Sequence, residues 1–175
     1  MQKASDRGIV TKLHTDGDGF LPNSPLPQRV ELVDIFDTFV DGAPMQQRRD
    51  LLYRALQVQL DLLRAEFGPA RVWISGTFVS VTVGPPSIDL AYVCRDVPHF
   101  LRNLKKSQFH QVLSLSSVIV GQPRLTGIDE LHPVGGLVNT VQVRPEKLEL
   151  QYERLSRPLR SGGSARTAGF VEVQL

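Results

Sequence analysis

Val72-Trp73-Ile74-Ser75-Gly76-Thr77-Phe78-Val79, followed by Ser87-Ile88-Asp89-Leu90-Ala91, is the stretch whose reading decides the fold. The first piece is a short apolar run closed by a glycine and a hydroxyl residue, the pattern of a buried strand entering a tight turn. The second opens nine residues after Phe78 and stays apolar as far as Cys94, which predicts another buried strand over 88–94. Gly84-Pro85-Pro86 between them reads as a turn.

Upstream, the spacing predicts a long helix from Met45 to Phe67. Leu52, Leu56, Leu60 (or Gln59), Leu63 and Phe67 form its apolar stripe, widened by Leu51, Ala55, Val58 and Leu62. Gly68-Pro69 stops it, because glycine accepts positive φ and proline cannot continue a helix. A shorter helix is expected over 29–40, with Val33, Phe36, Phe39 and Val40 at helical spacing. Downstream, a helix over 96–114, an alternating strand over 137–143 after Gly135-Gly136, a helix over 145–156, a mobile Ser161-Gly162-Gly163-Ser164 loop and a terminal strand over 170–175 follow. This order predicts an α+β (mixed α/β) domain, a small mixed sheet flanked by helices. Residues 1–28, rich in Gly, Pro, Asp and Ser, read as an extended N-terminal arm that packs on the domain or is partly disordered, and 29–175 as the single domain.

Bulk properties narrow the function. A chain of 175 residues with 41% hydrophobic and 22% charged residues suits one soluble globular domain. Twenty basic and 18 acidic residues give a net charge of +2, too balanced to indicate a nucleic-acid partner. No apolar run spans a membrane and no apolar segment follows Met1 in the manner of a secretory signal, so no membrane partner and a cytoplasmic location are expected. The single cysteine, Cys94, reads as a buried thiol. His14, His99, His110 and His132 lack metal-ligand spacing. Asp16-Gly17-Asp18-Gly19 reads as a turn, since a calcium loop would need a further ligand at Phe20 and a closing Glu.

The chemistry gathers at Gly76 to Asp89. A glycine turn lets backbone N–H groups approach a phosphate, and a neighbouring hydroxyl adds a donor. Two side chains at i and i+2 of a strand share a face, and as carboxylates they would hold magnesium. Gly76-Thr77 and Ser87-Ile88-Asp89-Leu90 resemble the signature of the polymerase-β-like nucleotidyltransferase superfamily: a Gly-Ser pair, a gap, then Asp-x-Asp or Asp-x-Glu. The pattern is similar to that of small uncharacterised bacterial and phage members. The matching segments are Arg48-Arg49, Gly76-Thr77-Phe78-Val79, Pro85-Pro86-Ser87-Ile88-Asp89, His132-Pro133-Val134-Gly135-Gly136 and Gly169-Phe170-Val171-Glu172-Val173.

The resemblance implies a nucleotidyltransferase-like fold, with Gly76, Thr77, Arg48 and Arg49 toward a nucleotide and Asp89 toward metal. It also implies a degenerate site. Ser87 stands where the first metal carboxylate belongs, and Asn139 is the candidate for the third, so vestigial Ser87, Asp89 and Asn139 would keep one carboxylate among three positions. Metal-assisted phosphoryl transfer depends on that charge. The expectation is a catalytically impaired protein acting on a protein partner or a nucleotide, in a regulatory, immunity-like or phage–host role, with a homo-oligomer also open. The alternative is an active enzyme using Mg2+ and an NTP on a protein, RNA or small molecule, its metal site rebuilt with Asp129, Glu130 or Glu172.

Overall fold

The computed structural model describes residues 13–24, 26–81, 84–93, 136–143, 147–149, 153, 159–161, 164–166 and 169–175. The elements are β1 (Gln28–Arg29), α1 (Leu32–Phe39), α2 (Gln46–Phe67), β2 (Arg71–Ser75), a 3-10 turn (Thr77–Val79), β3 (Ile88–Val93), β4 (Val138–Val143), β5 (Leu159–Ser161), β6 (Ser164–Arg166) and β7 (Val171–Gln174). Five strands form one mixed sheet in the order β1-β7-β2-β3-β4. β2 lies antiparallel to both β3 and β7, whereas β4 runs parallel to β3 and β1 parallel to β7. The domain is therefore α+β, with two α-helices beside a mixed sheet among the described residues. None of its described helices is long and apolar enough to cross a membrane.

Strand alternation sorts the sheet into two faces. Val72, Ile74, Ile88, Leu90, Tyr92, Val138, Val171 and Val173 join Ile35 and Phe39 of α1 and Leu52, Leu56, Leu60 and Leu63 of α2 in the larger core. The opposite face carries Trp73, Ala91, Val93, Val143 and Phe170, all buried. Such nearly continuous apolar strands, buried on both sides, are what made β2 and β3 legible as short apolar runs.

Several expectations change. The first helix begins at Leu32, not at residue 29, because Gln28 and Arg29 pair with Val171 and Glu172 as β1. The Glu31 N–H then donates to the Asp34 carboxylate at 2.9 Å and closes the first turn. Val33 is 53% exposed, while Ile35 and Thr38 join Phe39 in the interior. On α2, Leu51 and Val58 remain in solvent, and only Ala55 of the widening residues is buried. Gly68 ends the helix at φ +71. The expected 161–164 loop is flanked by a hairpin, β5 against β6 with Ser161 opposite Ser164. Of the helix expected over 145–156, residues 148, 149 and 153 are described and helical. The helix expected over 96–114, Cys94, His99, His110 and His132 lie outside the described residues.

The described part of the N-terminal arm is integrated into the domain. Leu13, Phe20 and Leu21 are buried. Asp16 Oδ1 accepts the N–H groups of Asp18 and Phe20 at 3.0 Å each, so this carboxylate shapes its own turn. Phe20 bridges Ser80, and Val81 N–H donates to Gly19 O. At Gly169 the chains pass so closely that a Cβ would lie 2.3 Å from Pro22 O, which leaves no room for a side chain.

Candidate functional site

Strand register assembles the site. Ser75 pairs with Asp89, and Asp89 pairs with Asn139. Paired residues project from the same face, so the side chains of Asp89 and Asn139 stand side by side, and Ser87 joins them two residues before Asp89. Asn139 Nδ2 donates to Ser87 Oγ at 3.0 Å and to Asp89 Oδ1 at 3.1 Å. An ionised carboxylate only accepts hydrogen bonds, so the amide nitrogen, not its oxygen, must face Asp89. Asp89 is exposed, and Ser87 and Asn139 are half-buried, so the cluster is open to solvent.

Gly76 borders this cluster. Its φ is +86 with ψ −167, a conformation essentially restricted to glycine. A Cβ at this position would lie 2.8 Å from Asp89 Oδ2. Two local reasons therefore require glycine here, the backbone and the neighbouring carboxylate. Thr77 follows, half-exposed, at the start of the 3-10 turn, and its carbonyl accepts the Ser80 hydroxyl at 2.9 Å.

The two arginines part company. Arg48 is half-buried, and its Nη2 donates to Pro86 O, immediately before Ser87, so a guanidinium stands at the entrance of the cluster. Arg49 is fully buried. Its Nε donates to Pro44 O at 3.0 Å, Nη1 to Phe39 O at 3.0 Å and to Phe78 O at 2.8 Å, and Nη2 to Ser80 O at 2.6 Å. Burial lowers its pKa from the ordinary value. A guanidinium closed off in this way has no face to offer a phosphate. Arg49 instead braces the turn after Gly76 against the α1–α2 connection, and it supplies a cationic donor to a carbonyl at the α1 C-terminus. The sequence held a signal for this, since Arg49 falls in step with Leu52, Leu56, Leu60 and Leu63 on the buried stripe.

Gln59 supports the cluster from the helical side of the sheet. Its Nε2 donates to Thr140 Oγ1 at 3.2 Å, which ties α2 to the strand that carries Asn139.

Glu172 does not rebuild the site. It pairs with Trp73, two strands away from β3 and out of step with Asp89. Its buried carboxylate accepts from Trp73 Nε1 at 2.8 Å and meets Arg29 Nε at 3.2 Å and Arg71 Nη1 at 3.8 Å. Asp129 and Glu130 lie outside the described residues. Among the described residues, no group of three or more His, Cys, Asp or Glu side chains is gathered for a metal ion.

With this geometry in view, comparison with known proteins places the chain in a family without assigning it an activity. The model of a family of unknown function (DUF6932) matches residues 13–157, and the chain belongs to that family. No curated protein and no solved structure matches it.

Proposed function

We propose that this protein keeps a nucleotidyltransferase-like framework without metal-assisted catalysis, and acts by binding a protein partner or a nucleotide. The observation that carries this reading is the double donation of Asn139 Nδ2 to Ser87 Oγ and Asp89 Oδ1. In a working site of that superfamily these positions would be carboxylates whose mutual repulsion a metal ion relieves. Here an amide N–H group lies between the two oxygens and links them directly. Magnesium demands several oxygen ligands in near-octahedral geometry. One carboxylate beside a serine hydroxyl and an amide nitrogen does not fit a two-magnesium centre, and no catalytic step is assigned to such a centre.

What remains is a solvent-open cluster of the Ser87 hydroxyl and the Asp89 carboxylate, with Thr77 in the adjoining turn and the Arg48 guanidinium bonded to the carbonyl just before Ser87. Arg48 can pair with a phosphate or with an acidic side chain of a partner. A regulatory, immunity-like or phage–host role is the setting that suits recognition without turnover.

Thermal shift with ATP, GTP, CTP and UTP, each with and without magnesium, tests the reading, because a ligand that binds only the folded state raises its stability. Stabilisation by nucleotide without magnesium, lost in Arg48→Ala, supports nucleotide binding. Stabilisation that requires magnesium and disappears in Asp89→Ala would overturn the proposal in favour of an active site. No shift with any nucleotide leaves a protein as the partner. The assignment of the lost ligands is tested by Ser87→Asp combined with Asn139→Asp. That double variant should gain Mn2+ binding by calorimetry, and continued absence of binding would refute the assignment.

A further inference from the structure

Helix α2 carries a second apolar stripe besides the one in its core. Leu51, Ala55, Val58, Leu62 and Ala65 are spaced by 4, 3, 4 and 3 residues, the alternation of a coiled-coil seam. The core uses Leu52, Leu56, Leu60 and Leu63, and shares only Ala55 with this stripe. Leu51 is 47% exposed and Val58 41%, Ala65 is exposed and Leu62 is half-buried, while small, buried Ala55 forms the floor between them. An amphipathic helix serving one core leaves its outer side polar. This seam lacks that character.

Charge placement selects the occupant. Arg54 and Asp61 are both exposed, and both flank the seam on the same side, one heptad apart. We infer that α2 pairs antiparallel with α2 of a second copy of this chain, forming a two-fold symmetric dimer. Leu51 then opposes Leu62 of the other copy, and Ala55 opposes Val58. The same alignment brings Arg54 opposite Asp61, and the two-fold axis repeats each contact. A parallel pairing would gain nothing from these charges, because the opposite flank of the seam, Leu52 and Gln59, is buried in its own domain. Arg54 already holds Asp50 at 2.8 Å, so in the dimer its guanidinium sits between two carboxylates and keeps both partners.

The seam is short, at the low end of interface sizes, so the dimer is weak, with a dissociation constant on the order of 10–100 µM. Sedimentation equilibrium of the full chain from about 1 to 500 µM tests it. A concentration-dependent dimer is expected. Arg54→Asp and Asp61→Arg should each weaken it about tenfold, and the two together should restore it to within about threefold of the wild type. Leu51→Ser with Val58→Ser should leave only monomer, with thermal unfolding confirming that these solvent-facing changes keep the fold. A monomer throughout the concentration range overturns the inference. So does a dimer insensitive to the single charge reversals, or one that the double reversal fails to restore.

Discussion

Substituting Gly76 by alanine separates the two reasons for glycine at the turn. With φ +86 and ψ −167, an alanine backbone pays about 1–3 kcal/mol to remain in place. Its Cβ would also sit 2.8 Å from Asp89 Oδ2. The carboxylate is exposed and can swing aside, but doing so gives up the 3.1 Å bond from Asn139, a loss of about 0.5–1.5 kcal/mol. The sum is about 1.5–4.5 kcal/mol, read as a fall of roughly 1–2 M in the urea midpoint at a slope near 2 kcal/mol/M. Trp73, the single tryptophan and fully buried, reports unfolding by fluorescence. In an Asp89→Ala background the steric part vanishes, and Gly76→Ala should cost only the backbone part, about 1–3 kcal/mol. A cost below about 0.5 kcal/mol in the wild type would refute the positive-φ geometry. An equal cost in both backgrounds would refute the contact with Asp89.

Arg49→Met removes the donor shared by Phe39, Pro44, Phe78 and Ser80 carbonyls, and should lower unfolding stability by about 3 kcal/mol or more in the same urea assay, since each unsatisfied buried carbonyl costs about 1–3 kcal/mol. Tyr53 donates to Leu32 O at 3.0 Å, and burial first, then the Asp37 charge, raises its pKa above the ordinary value. The unfolded chain therefore loses this proton before the folded one, and stability falls as pH rises through the ordinary tyrosine value of about 10. Tyr53→Phe should cost about 1 kcal/mol at neutral pH and show a shallower decline on the alkaline side in denaturant titrations. Glu172→Gln removes the buried charge facing Arg29 and Arg71 and should cost about 1–3 kcal/mol by thermal unfolding. Arg29→Ala, whose side chain is 79% exposed, should cost less than about 1 kcal/mol.

The elements legible in the sequence share one physical property: their burial is written in local pattern. β2, β3, β4 and β7 are apolar or alternating runs bounded by Gly or Pro, and α2 repeats leucine at helical spacing. The elements missed owe their structure to a partner. Gln28–Arg29 has no strand character of its own, and β7 supplies the edge that makes it β1. Ser161 and Ser164 read as a flexible loop, although a two-residue Gly-Gly connection is also a hairpin signal. The resemblance points Arg49 toward a nucleotide, whereas its position on the leucine stripe predicts the burial that is observed. In the site, Ser87 and Asp89 were visible as an i, i+2 pair. Asn139 is named from the resemblance alone, and only the β3–β4 register, which no local pattern encodes, sets it beside Asp89.

The hydrogen bonds of Asn139 also bear on why this cluster holds together without a set of carboxylates. Three acidic side chains on adjacent strands would repel one another unless a cation intervened. One carboxylate, one hydroxyl and one amide carry a single negative charge, and the amide satisfies two acceptors at once. The interaction crosses from β3 to β4, a parallel pair at one edge of the sheet, and Gln59 reaches Thr140 from the opposite face of the same strand. The β4 strand is thus pinned on both faces by side-chain amides. On the proposed reading, a cluster tied together in that way suits a ligand that needs one charge partner. Chemistry that needs concentrated negative charge to hold metal ions would have to break the arrangement first.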